Sequence, residues 1–93
     1  MDKIMNEVCV FLADGFEEIE GLTVVDLLRR AGIETRTVSI MGQEEIKGAH
    51  GIIVKADSLF ENTDFSEVKM LVLPGGMPGT IHLKEHKGLE GLI

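Results

Sequence analysis

The sequence predicts an α/β fold built on a mostly parallel sheet, and three observations point to it. Two runs, Val8 to Ala13 ("VCVFLA") and Met70 to Leu73 ("MLVL"), are continuously apolar rather than alternating, as strands covered on both faces are. An amphipathic segment follows the first run and ends on a glycine. Each apolar run gives way to turn residues, Asp14-Gly15-Phe16 in one case and Pro74-Gly75-Gly76 in the other. Strand, helix, strand, hairpin, strand is the resulting order, and parallel strands joined by crossovers are its simplest arrangement.

Element by element, Val8 to Ala13 reads as the first strand. The helix that follows runs to Ala31, with Ile19, Leu22, Val25 and Leu28 expected on one buried stripe and Asp26 and Arg30 spaced to pair. Gly32 stands where a left-handed C-terminal cap favours glycine. Ile33 to Ile40 ("IETRTVSI") is rich in β-branched residues but carries Glu34 and Arg36, which suits a strand nearer the sheet edge. Gly42, Gly48 and Gly51 surround two short runs, Glu45 to Lys47 and Ile52 to Lys55, predicted to form a small hairpin. The stretch "SLFENTDFSEV" reads as a connector with one helical turn near Asp64 to Glu67. Beyond "PGGMPG", Thr80 is the expected cap of a short helix, and His86 to Ile93 opens another.

Ninety-three residues with 44% apolar content make one domain or part of one. A formal charge of -7 argues against nucleic acid as a partner, since such binders gather Lys and Arg on one face. The longest apolar run is too short to span a bilayer, and "MDKIMNEV" has no secretory h-region, so neither membrane nor export is expected. One cysteine, Cys9, cannot form an internal disulfide and agrees with a reducing, cytoplasmic compartment. Met5 offers an alternative start, with residues 1–4 an extension.

The chemistry-bearing stretch is "GFEEIEG", with Glu17, Glu18 and Glu20 at the opening of a helix. Acids there complement the helix dipole, and Glu17 and Glu18 are expected to be solvated in that role. Glu20 is singled out: it follows Ile19 and precedes Thr23 by three, so its carboxylate is expected to lean towards the sheet edge, partly desolvated, with a raised pKa suited to sharing a proton. Gly75 and Gly76 supply either a tight turn or backbone N–H groups for an oxyanion. Ligands of parallel sheets bind at the carboxyl ends of the strands, where both features fall. "HLKEH" (His82 to His86) formally matches a zinc pattern but follows a Gly/Pro loop, and is expected to be a solvated helical turn. His50 has no evident partner. Cys9, mid-strand, is expected to be a buried packing residue rather than a nucleophile. No metal or cofactor is expected.

With "FLADGFEEIEGLTVVDLLRRAG" followed by "MLVLPGGMPG", the chain resembles the ThiJ/PfpI superfamily, which includes the parkinsonism-associated deglycase and chaperone proteins. It looks most like the ThiJ-type branch, often labelled as 4-methyl-5(β-hydroxyethyl)-thiazole monophosphate biosynthesis proteins. The resemblance implies a flavodoxin-like three-layer sandwich, usually dimeric, present here as its amino-terminal half. It implies that Glu20 is the partner of a cysteine at a later strand-to-helix elbow, beyond Ile93. It implies backbone donors at Gly75 and Gly76, and it matches Arg30 to an arginine near an anion pocket.

Two functions follow as expectations. One is the amino-terminal half of a protein with cysteine-dependent chemistry on a small carbonyl or amide substrate, inactive by itself. The other is a non-enzymatic α/β module that self-associates through its uncovered sheet. A phosphoacceptor receiver is disfavoured because Pro74 stands where the acceptor aspartate belongs.

Overall fold

A computed structural model describes residues 8–93, so the alternative start at Met5 lies outside the described residues. Among the described residues are six strands and three α-helices: β1 Val8–Leu12, α1 Glu18–Arg30, β2 Thr35–Ser39, β3 Glu45–Lys47, β4 Ile53–Lys55, β5 Ser58–Leu59, β6 Met70–Val72, α2 Gly79–Glu85 and α3 Lys87–Leu92, with a 3-10 turn at Phe60–Asn62. β1, β2, β5 and β6 form one parallel sheet in the order β5-β2-β1-β6, while β3 and β4 make a separate antiparallel hairpin.

Side chains alternate across β1 and so build two cores. Val8, Val10 and Leu12 pack with Phe16, Val25 of α1 and Ile46 of the hairpin on one face. Cys9 and Phe11 pack with Val38, Leu83 of α2 and Leu89 of α3 on the other, under Phe60 and Phe65. Helix, sheet and helix are thus three layers, and β1 is buried at every position because both layers meet on it.

Three placements differ from the expectations. β2 is an inner strand, since β5, too short to be seen in the sequence, pairs with it through Val38 and Ser39. β6 is an edge, and Met70 is 54% exposed there. The apolar run "MLVL" therefore has the composition of a covered strand without a neighbour on its outer side. The helical turn of the connector forms at Phe60–Asn62 rather than near Asp64, because Phe60 docks against Phe11 and Phe65 with ring centroids 6.1 and 4.9 Å away.

α1 also corrects its expected stripe. Leu22, Val25 and Leu28 face the core as expected, but Ile19 is 74% exposed, and Glu18 and Gly21 are the buried positions the stripe left out. Glycine at 21 is required by close approach: a Cβ there would lie 2.9 Å from the Phe16 ring. The helix ends as expected, with the Gly32 N–H on the Arg29 carbonyl and φ of +80°. At the other end of the chain Pro78, not Thr80, occupies the N-cap position of α2, and the His86 side chain caps α3 by accepting the Leu89 N–H at 2.9 Å.

Candidate functional site at the carboxyl ends of β1 and β6

The chain leaves β1 towards β2 on one side, and β6 later docks on the other. The carboxyl end of β1 is therefore a switch point, the place where parallel sheets hold ligands. Two loops meet there. After β1, Gly15 turns the chain with φ of +87°, the Phe16 N–H bonds the Ala13 carbonyl at 3.0 Å, and Glu17 takes the N-cap position of α1. After β6, Pro74 is buried and Gly76 turns with φ of +103°.

Glu20 and Gly75, fifty-five residues apart in sequence, are joined: the Gly75 N–H donates to Glu20 Oε1 at 2.8 Å. Three residues earlier on the helix side, the Glu17 N–H donates to the Gly75 carbonyl at 2.8 Å. Gly76 is pressed against the same backbone, so that a Cβ there would lie 2.4 Å from the Glu17 nitrogen. Glu20 is exposed, contrary to the desolvated position expected of it, because it lies outside the α1 stripe and reaches the loop from the solvent side. Beside Gly75 an apolar groove of about 400 Å³ runs between Leu73, Pro74, Leu83, Leu89 and Ile93.

Arg30 is not brought to these groups. It lies at the far end of α1, where its Nε donates to Asp26 Oδ1 at 3.0 Å across one helical turn. Its neighbour Arg29 donates to the Thr35 carbonyl and to Asp57 Oδ2, the latter at 2.7 Å, which ties α1 to β2. Arg36 lines the cavity beside that pair, and its buried Nε has no hydrogen-bond partner among the described residues.

The feature that sequence reasoning missed is Glu18. It is only 4% exposed, not solvated. Its Oε2 accepts the His50 and Ile52 backbone N–H groups at 2.8 and 3.3 Å, and its Oε1 faces His50 Nδ1 at 2.8 Å. Burial opposes the charge, but the bonds from the His50 ring and from backbone N–H groups outweigh it and hold the Glu18 pKa at about 2. The bond to Glu18, helped by the Glu17 charge, raises the His50 pKa. His50 therefore does have a partner. A signal was present in Gly48, whose missing side chain leaves the space the carboxylate fills: a Cβ would stand 2.3 Å from it.

Among the described residues, Glu17, Glu18 and His50 are the group whose donor atoms lie close enough for a metal, within 4.8 Å of one another. The 2.8 Å separation of Glu18 Oε1 and His50 Nδ1 is a hydrogen bond, so a shared proton occupies the space an ion would need. In "HLKEH", His82 and Glu85 lie on α2 while His86 caps α3 and meets Phe60 edge-on with ring centroids 4.6 Å apart. Cys9 is fully buried, and burial raises its pKa, more than the nearby Arg36 charge lowers it. It is a packing residue, as expected.

A parallel three-layer α/β fold with a carboxylate and a glycine loop meeting at the switch point is assigned to a family once the sequence match is added. Residues 6–93 match the DJ-1/PfpI family model, and the chain belongs to that family. It is 33% identical over its whole length to protein DJ-1 homolog B of Arabidopsis thaliana, covering 21% of that protein. It is 35% identical over 85% of its length to the deglycase TK1284 of Thermococcus kodakarensis, covering 48% of it. The structure of Drosophila melanogaster DJ-1beta superposes with a TM-score of 0.88 at 30% identity, over 95% of this chain and 47% of that one. The chain thus spans about half the length of the structures it matches, and a smaller share of the Arabidopsis relative.

Proposed function

We propose that this chain is the amino-terminal part of a DJ-1/PfpI protein whose cysteine-dependent chemistry on small reactive carbonyl or amide compounds takes place where β1 and β6 end. The observation that carries this reading is the 2.8 Å bond between Glu20 and the Gly75 N–H, which holds a carboxylate beside a glycine loop at the switch point. In this reading Glu20 tunes a thiol supplied from outside the 93 residues, and the Gly75 and Gly76 backbone faces the developing oxyanion. The apolar groove beside Gly75 receives the elbow that bears the thiol. Carbonyl chemistry is favoured over thiazole monophosphate biosynthesis because a relative carries the name deglycase. A homodimer is part of the proposal, as the resemblance to the family implies.

The test is turnover of methylglyoxal by the full-length protein. Glu20→Gln is expected to lower kcat/KM by about 10²-fold or more, as loss of a proton-sharing group does, while Glu20→Asp recovers part of it. The 93-residue chain by itself is expected to be inactive. Full activity of Glu20→Gln, or turnover by the 93-residue chain, overturns the assignment.

The second reading, a self-associating module, is favoured by one observation: among the described residues β6 is an open edge carrying Met70, with Leu73 just after it, both exposed.

A further inference from the structure

The Glu18–His50 pair takes no part in the chemistry proposed above, yet it consumes a buried carboxylate. Its three acceptor contacts all go to the hairpin connection, at His50 and Ile52, while the carboxylate itself belongs to the first turn of α1. We infer that protonation of His50 sets how tightly the tip of the β3–β4 hairpin is clasped to α1, making that tip a pH-responsive flap beside the Gly75 loop.

The geometry determines which nitrogen titrates. Glu18 Oε1 accepts from Nδ1, so Nδ1 keeps its proton in both charge states and Nε2 gains or loses one. With Nε2 protonated, an imidazolium stands 2.8 Å from Glu18 and 3.6 Å from Glu17. With Nε2 bare, the Nδ1–H bond persists, but the attraction between charges is gone and two carboxylates remain side by side. Rising pH weakens the clasp without breaking it. The charged groups facing His50 are those two glutamates of α1. Asp14, in the turn before the helix, is engaged by the Lys47 N–H at 3.0 Å, and Lys47 itself is exposed.

The loosening is local. Ile46 is fully buried in the core, and the Gly15 N–H holds the Lys47 carbonyl at 2.8 Å, so β3 stays docked. Beyond Gly48 the tip is held to the α1 side by the Ala49 N–H on the Phe16 carbonyl and by the Glu18 contacts, while the Gly48 N–H on the Ile52 carbonyl at 2.9 Å closes the tip on itself. Glu17 connects this tip to the candidate site: its carboxylate approaches His50 while its N–H holds the Gly75 carbonyl.

Because the folded His50 pKa is raised, its contribution is complete below the unfolded value near 6.5 and is lost as pH rises through the folded value. Because the Glu18 pKa is lowered, its contribution is complete above about 4.5 and is lost as pH falls towards about 2. The clasp is tightest between these limits.

Amide hydrogen exchange of the intact protein, followed by NMR from about pH 5.5 to 8.5 and corrected for intrinsic exchange, tests this. Protection of the His50 and Ile52 amides is expected to fall through the His50 midpoint, by up to about tenfold for each pH unit of His50 shift, while β1 amides do not change. His50→Gln, at a side chain 65% exposed, keeps a donor for Glu18 without the charge and is expected to give a flat profile. The His50 midpoint is expected to lie above the ordinary histidine value. A flat wild-type profile, or the same pH dependence in His50→Gln, overturns the inference whether or not the protein turns over carbonyl compounds.

Discussion

Glycines at 48, 75 and 76 look alike in sequence and differ sharply in what surrounds them. At Gly48 a methyl group meets a carboxylate held by three hydrogen bonds, so Gly48→Ala is expected to lower Tm by about 5 °C or more. At Gly75 the methyl group meets Glu20 Oε1 at 2.6 Å, but that is the free end of an exposed side chain. Gly75→Ala is expected to leave Tm nearly unchanged while displacing Glu20, which a fall in activity of the full-length protein reports. Gly76→Ala meets backbone and a φ of +103°, and is expected to cost about 2 kcal/mol or more in urea unfolding. Arg36 offers the opposite case. Its buried Nε lacks an acceptor, so Arg36→Met is expected to be neutral or to stabilise by about 1 kcal/mol, measured the same way. The meeting place of Glu20 and the double glycine was legible because turn chemistry after an apolar run marks the end of a strand. Glu18 was not, because three acids in a first turn satisfy the helix dipole equally well, and only the hairpin's return decides which one is buried.

At the scale of elements, the long periodic segments were readable and the short ones were not. α1 and its glycine terminator follow from local pattern, whereas β5 is two residues long and exists only because β2 offers it an edge. The Ile19 misplacement has the same origin: a stripe drawn through apolar residues passes over Gly21, which packs against Phe16 because it has no side chain. α3 is six residues long and carries two glycines, so its cap matters more than its propensity. His86→Ala removes both the Leu89 N–H acceptor and the ring against Phe60, and is expected to cost about 1 kcal/mol in urea unfolding, with the loss of helix signal confined to residues 87–92.

Across the whole molecule, the sheet has one guarded edge and one open one. β5 and its following 3-10 turn close the β2 side, while β6 presents unpaired backbone with Met70 and Leu73 exposed. The 93-residue chain expressed by itself is therefore expected to associate through that edge, and Met70→Lys with Leu73→Lys to shift it to monomer by sedimentation velocity. In the sequence, "MLVL" announced a strand but not its position, since burial on two faces and a place at the rim are written in the same residues. The bond between Glu20 and Gly75 has a further consequence for synthesis. Closing fifty-five residues of chain, it can form only after β6 has docked beside β1, whereas α1 and β2 are complete long before residue 70 is translated. A nascent chain arrested before that point carries Glu20 without the loop that holds it, so the carboxylate gains its backbone partner only when β6 takes its place beside β1.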